Sequence, residues 1–225
     1  MPGKTMSGIS TIPVPDSEYR VLIIDDFIPG PNKLIDYALS SGRAPRSEKR
    51  YPGMRMPVPT GYLRYALATI NVALRQCHFS HTLAAGEAYF AMVTTPPSAL
   101  TTEQRIPHFD RPYTDQYALV HYLCAPSFGG TSIYQYNPTG QIAVTQDNLV
   151  SYQQSLSREL NNRATPQGYI NGSTDLFKQI VDVPCVFNRA VIYPCALLHS
   201  GNIPPDFTPD LNPYTGRFTV TAFFH

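Results

Sequence analysis

The sequence predicts an α+β chain that is mainly β, with helices packed outside a β-sandwich or barrel. Three observations predict it. Short β-branched and aromatic runs recur through the second half of the chain. Helical periodicity is confined to three stretches, two of them early. The 22 prolines and 15 tyrosines suit a body of short strands joined by many turns.

The elements follow in order. Residues 1–18 carry Pro and Ser without an apolar run and read as a flexible tail, leaving 19–225 as a single domain. Residues 19–24 (YRVLII) form a buried strand that stops at Asp25-Asp26. Pro29-Gly30-Pro31-Asn32 breaks the chain, then Leu34, Ile35, Ala38 and Leu39 recur at helical spacing until Gly42. A second helix spans Thr60 to Gln76, with Leu63, Leu67, Ile70 and Leu74 as its stripe. Residues 87–94 (EAYFAMVT) read as a strand, followed by strands over 116–123, 131–136, 177–183, 190–193 and 217–224. One helix interrupts them over 146–161, with Leu149, Tyr152, Leu156 and Leu160 as its apolar face.

Composition narrows the function. Seventeen basic against sixteen acidic residues give a charge near zero, and no stripe interleaves aromatic with basic residues, which argues against a nucleic-acid surface. No apolar stretch reaches the roughly 20 residues of a membrane span, and the first residues lack the apolar run of a signal peptide. Cys77, Cys124, Cys185 and Cys195 show no CxxC spacing and read as reduced thiols of a cytoplasmic protein. Arg43, Arg46, Lys49, Arg50 and Arg55 fall in one loop-like stretch. A solvated basic loop is the ordinary reading, and a clamp for an acidic substrate or partner the sharper one.

The chemistry is carried by His108-Phe109-Asp110, with His199 and Arg217 far downstream. On a strand His108 and Asp110 point to one face while Phe109 packs the other way. Two imidazoles and a carboxylate are the ligand set of a non-haem iron(II) centre with open positions. An HxD pair alone recurs by chance, a core histidine and a turn aspartate before Pro112 being the bland account. The turn and apolar strand of 188–194 deliver His199 just past the strand end, and 216–224 puts Arg217 and Thr219 on one strand face. A guanidinium inside an apolar strand is costly without an anion, and a carboxylate is its natural partner. The remaining histidines are weaker candidates: His121 reads as core packing facing away from the metal, and His78 and His81 as residues at a helix end. Tyrosines in 113–117 and 133–136 read first as packing residues and second as the lining of a substrate mouth.

In order along the chain, HFD, ALVHYLCAPSFGGTSIY, NRAVIYPCALLHS and GRFTVTAFF resemble landmarks of the iron(II)/2-oxoglutarate dioxygenase superfamily, near its prolyl-hydroxylase-like branch. The opening YRVLIIDDFIPGPNKLIDYAL is similar to the first strand and helix of the same proteins. The resemblance implies a double-stranded β-helix in which His108, Asp110 and His199 hold Fe(II). It implies that Arg217, helped by Tyr122 and Thr219, binds 2-oxoglutarate, and that O2 is the second co-substrate. The implied activity is hydroxylation of an unactivated C–H bond in an amino acid, peptide side chain or small natural product, coupled to decarboxylation of 2-oxoglutarate to succinate. A carboxylate at Asp110, where a halogenating relative has a small residue, favours hydroxylation. Two departures stand out. Arg217 follows His199 by eighteen residues, and Pro204, Pro205, Pro209 and Pro213 in the gap suggest a stiff insertion beside the site. No acidic residue follows the two glycines of GGTSIY. The alternatives are a silent protein of the same fold acting as a binding or scaffolding module, and a cupin-like metalloenzyme that does not use 2-oxoglutarate. Substrate identity and oligomeric state are not encoded in any motif.

Overall fold

The structure, a computed structural model, describes residues 8–41, 46–47, 51–163 and 166–225. Among them are the strands β1 (Ile9–Pro13), β2 (Arg20–Ile24), β3 (Arg46–Ser47), β4 (Gly53–Pro57), β5 (Gly86–Val93), β6 (Tyr117–Tyr122), β7 (Thr131–Tyr136), β8 (Phe177–Val183), β9 (Ala190–Pro194), β10 (His199–Gly201) and β11 (Phe218–Phe224). The helices are α1 (Asn32–Ser40), α2 (Thr60–Gln76) and α3 (Leu149–Asn162). An eight-stranded antiparallel sheet runs β1-β2-β9-β6-β11-β5-β4-β3, and a three-stranded one runs β10-β7-β8. No helix among the described residues is long and apolar enough to cross a membrane.

Burial explains the central strands. β6 and β9 are apolar on both faces because both faces are covered. One face of the large sheet packs against α1 and α2, through Leu34, Ile35, Ala66, Ile70 and Leu74. The other face meets the small sheet through Tyr122, Val191 and Tyr193 on one side and Ile133, Val181 and Val183 on the other. Helix α3 covers the outside of the small sheet, with Tyr152 edge-on to Tyr136 at 5.2 Å. Burying one such aliphatic side chain contributes about 1.5–3 kcal/mol.

Several expectations change. The tail expected over residues 1–18 is ordered strand over Ile9–Pro13, because pairing with β2 gives its backbone hydrogen-bond partners along five residues. Residues 1–7 lie outside the described residues. The stretch expected as a basic loop contains a β3–β4 hairpin that extends the large sheet beside β5. Arg43, Lys49 and Arg50 lie outside the described residues. Helix α3 starts at Leu149, three residues later than expected, since Asn148 ties back to Thr145 through its side chain. Arg217 stands just before the last strand rather than on it. Strand β10 is too short for a periodicity signal.

Candidate active site

The two histidines meet through the backbone. His108 and His199 form one antiparallel bridge, exchanging N–H to C=O bonds of 2.9 and 2.8 Å, which brings the ring centroids to 4.4 Å. Two residues on, the Asp110 N–H donates to Cys195 O at 2.9 Å, holding the carboxylate toward the same point. Phe109 turns outward into the cluster under α3, as alternation requires. One ligand atom from each of His108, Asp110 and His199 lies within 4.8 Å of the others. His199 Nε2 is 3.4 Å from one Asp110 oxygen, and His108 Nε2 is 3.8 Å from the other. Two bonds of about 2.1 Å to one ion span these separations.

The electrostatics suit a cation. Burial pushes the His199 pKa down to about 4, opposed only by its hydrogen bond to the Leu197 carbonyl. That bond, 2.9 Å from Nδ1, fixes the proton on Nδ1 and leaves the Nε2 lone pair facing the centre. The desolvation of the His108 ring and the neighbouring His199 lower its pKa too, with Asp110 opposing and the ring's solvent-open edge softening the fall. Neutral imidazoles are the ligating form. Burial raises the Asp110 pKa against the pull of His108, Arg55 and Arg111, a rise that a bound cation would reverse. The donor set therefore fits a divalent transition metal. With 56% of its side chain open, His108 marks the mouth of the site, while His199 forms its floor.

Arg217 is buried within reach of the triad. His199 and Gly201 lie on one face of β10, two residues and roughly 6.5 Å apart. A Cβ on Gly201 would sit 3.2 Å from Arg217 Nη2, so the missing side chain makes room for the guanidinium. Arg217 Nε donates to Phe128 O at 3.1 Å and Nη2 to Gly130 O at 3.2 Å. Among the described residues no carboxylate pairs with it. A buried cation held only by neutral carbonyls suits an anionic ligand. The Gly129-Gly130 turn is shaped for this approach. Gly129 has φ +74°, and a Cβ on Gly130 would fall 1.8 Å from Val183 O. The Pro-rich segment after β10 buttresses the same turn, with Phe207 edge-on to Phe128 and to Tyr169.

The other expected residues are placed as follows. Tyr122 is fully buried between the sheets, its hydroxyl 2.6 Å from Thr131 Oγ1. Thr219 pairs with Tyr122 across β6 and β11 and donates to Ala91 O at 3.3 Å. His121 points to the opposite side of the sheet, away from the triad, as expected. Tyr117, Tyr134 and Tyr136 are core residues, as the packing account expects, whereas Tyr113 is exposed and its hydroxyl accepts from Gln146 Nε2 at 3.1 Å. One residue escaped sequence reasoning. Tyr193 is buried and packs its ring 4.7 Å from that of His199. Burial chiefly raises its pKa, Asp110, Tyr122 and Cys195 add to the rise, and Arg217 opposes it. Its strand position, six residues before His199, was the available signal.

The chain belongs to DUF6445, a family of unknown function whose model matches residues 6–224. No curated protein sequence matches it. In fold it is similar to HygX from Streptomyces hygroscopicus, solved with nickel, 2-oxoglutarate and hygromycin B bound. That likeness has 11% identity over 91% of this chain and 81% of the other, with a TM-score of 0.51. HygX with iron bound matches over the same shares at 13% identity, with a TM-score of 0.49.

Proposed function

We propose that this protein is an iron(II)- and 2-oxoglutarate-dependent oxygenase of the double-stranded β-helix class, near the prolyl-hydroxylase-like branch, that hydroxylates a C–H bond of a small molecule or peptide. The observation that carries the reading is the buried Arg217 beside Gly201, two residues along the strand from the metal-facing His199. A metal triad alone serves many reactions. A triad with a buried, carboxylate-seeking guanidinium at this distance suits a dicarboxylate that chelates the metal at one end. The neighbour HygX, similar in fold and solved with nickel and 2-oxoglutarate, supports a divalent metal with 2-oxoglutarate as the ligands here.

When bound, Fe(II) with 2-oxoglutarate and O2 supplies the oxidising chemistry, releasing succinate and carbon dioxide. The chain's part is to bind, orient and exclude water. Leu197 O holds the His199 ring in the tautomer that offers Nε2. Asp110 contributes the anionic ligand, kept in place by its backbone bond to Cys195. Arg217 clamps the far carboxylate of 2-oxoglutarate, with Thr131, Tyr122 and Thr219 shaping the wall and Tyr193 closing the space toward His199. The two-sheet core around these residues keeps bulk water out. The test is succinate release from 2-oxoglutarate by purified protein with Fe(II) in air. Release that needs both iron and O2, and that stops in Asp110→Ala, is expected. Folded protein that binds iron and never forms succinate across a broad substrate panel would leave only a binding module.

A further inference from the structure

We propose that Cys124 and Cys185 form a peroxide-sensitive switch, closing into a disulfide that shifts the Gly129-Gly130 turn and loosens the seat of Arg217. The proposal rests on the oxygenase reading for the ligand that Arg217 holds, and adds a regulation of that site. The two sulfurs lie 3.8 Å apart, brought together from positions 61 residues apart in sequence. Both are buried thiols outside the chemistry assigned above. A disulfide places its sulfurs about 2.05 Å apart, so closure needs a further approach of roughly 1.8 Å. The burial is shallow. Ala125, Pro126 and Ser127 beside Cys124 are exposed, as are Pro184, Val186 and Phe187 around Cys185. The Cys185 Sγ also lies 3.5 Å from the Ala125 carbonyl oxygen, under that exposed turn. A small neutral oxidant therefore meets both sulfurs one residue below the surface.

Hydrogen peroxide is the oxidant, and the step balances. The hydrogen bond from Cys185 draws the Cys124 pKa below its ordinary value, with burial opposing and the Arg217 charge assisting. Cys124 is therefore the attacking sulfur. It takes one oxygen of the peroxide as a sulfenic acid, and the other oxygen leaves as water. The Cys185 thiol then attacks that sulfur and the S–S bond forms. A second water carries off the hydroxyl and the Cys185 proton. Two thiols have given up two electrons and two protons, and one peroxide has become two waters. The movement of closure falls on the arginine seat. Leu123 N–H donates to Phe218 O at 3.0 Å and Tyr122 N–H to Arg189 O at 2.9 Å, which fixes the chain leading into Cys124. The Cys185 segment makes the approach. A Cβ on Gly130 would fall 1.8 Å from Val183 O and 2.9 Å from Cys185 N, so the Gly130 backbone lies against the segment that moves. Gly130 O accepts from Arg217 Nη2, and Phe128 O in the same turn accepts from Arg217 Nε. His108 and His199 are held by their own backbone bridge, and Asp110 by Cys195 O, so the triad stays in place.

The test uses full-length protein loaded with Zn(II), which has no redox chemistry of its own. Its affinity for 2-oxoglutarate is measured by calorimetry when reduced, after equimolar hydrogen peroxide, and after dithiothreitol, with the link located by peptide mass mapping. A Cys124–Cys185 link is expected, with 2-oxoglutarate affinity at least tenfold weaker, Zn(II) affinity unchanged, and full recovery in dithiothreitol. Cys185→Ser should bind 2-oxoglutarate as the reduced protein does, before and after peroxide. Cys124→Ala gives the same contrast if the first variant does not fold. Absence of that link, a link with no change in affinity, a loss that dithiothreitol does not reverse, or an equal loss in the variant overturns the proposal. If the reduced protein binds no 2-oxoglutarate, the oxygenase reading falls by itself. The Arg217 Nε–H resonance, identified by its absence in Arg217→Lys, then decides the switch. A shift on oxidation upholds it, and an unmoved resonance in linked protein overturns it.

Discussion

His121 and His199 are two buried histidines with similar bulk surroundings and different work. Burial is the chief influence on each, and each is pushed down to about 4. Both nitrogens of His121 are engaged by the protein. Nδ1 lies 3.2 Å from the Tyr62 hydroxyl and Nε2 3.0 Å from Asn188 Oδ1, with Phe27 edge-on at 5.1 Å. Asn188 in turn bridges Ile28 through both N–H and C=O, at φ +65°. His199 has only Nδ1 engaged, and its Nε2 faces a carboxylate oxygen 3.4 Å away. Burial makes both imidazoles neutral. The unengaged nitrogen makes one of them a ligand.

Exchanging the two histidines' losses is the strongest way to break this comparison. His199→Ala should lower metal affinity at least about 100-fold with a small change in unfolding midpoint, measured by calorimetric titration and by thermal melts. His121→Ala should do the reverse, keeping the metal and losing about 3 kcal/mol of stability, because Tyr62 and Asn188 lose a buried partner. Metal loss in both variants would show the fold, not the free nitrogen, to be the cause.

Arg217→Met comes next. Removing a charge-assisted pair worth about 1.5–3 kcal/mol should weaken 2-oxoglutarate binding roughly 10- to 100-fold and leave metal affinity unchanged. The pH dependence sharpens the neutral-imidazole claim. With folded pKa near 4 and an ordinary value of 6.5, His121 stays neutral in the fold while the unfolded chain takes up its proton. Its contribution is complete above about pH 6.5, declines as pH falls toward 4, and changes no further below that. Urea titrations of metal-free protein should lose up to about 3 kcal/mol from this group across that window, and less in His121→Ala. The smallest effect belongs to Gly201→Ala. Its Cβ would crowd Arg217 Nη2 at 3.2 Å, weakening 2-oxoglutarate by a few-fold without moving metal affinity.

Much of the site was legible because its parts lie on or beside extended segments with readable alternation. His108 and Asp110 face inward while Phe109 faces out, and His121 faces away from the triad. The helices α1 and α2 were legible through their apolar spacing, although Leu39 is exposed and the buried face of α2 is centred on Tyr62, Ala66, Ile70, Ala73 and Leu74 with Leu63 and Leu67 at its edge. What was hidden depended on pairing between distant segments. Strand β1 is an edge strand with no buried residue, recognisable only from its register with β2. Arg55 looked like one basic residue among several until β4 paired with β5 and turned it inward. Tyr193 sits in an apolar run whose face is set by its neighbours β2 and β6. No periodicity rule chooses between the two faces of a strand buried on both.

The central claim is tested most directly by mixing the protein anaerobically with Fe(II) and 2-oxoglutarate and recording the visible spectrum. A charge-transfer band that requires both components, and that disappears in Asp110→Ala, is what this arrangement of His108, Asp110, His199 and Arg217 predicts. Folded, soluble protein that shows no such band at saturating concentrations of both would contradict it.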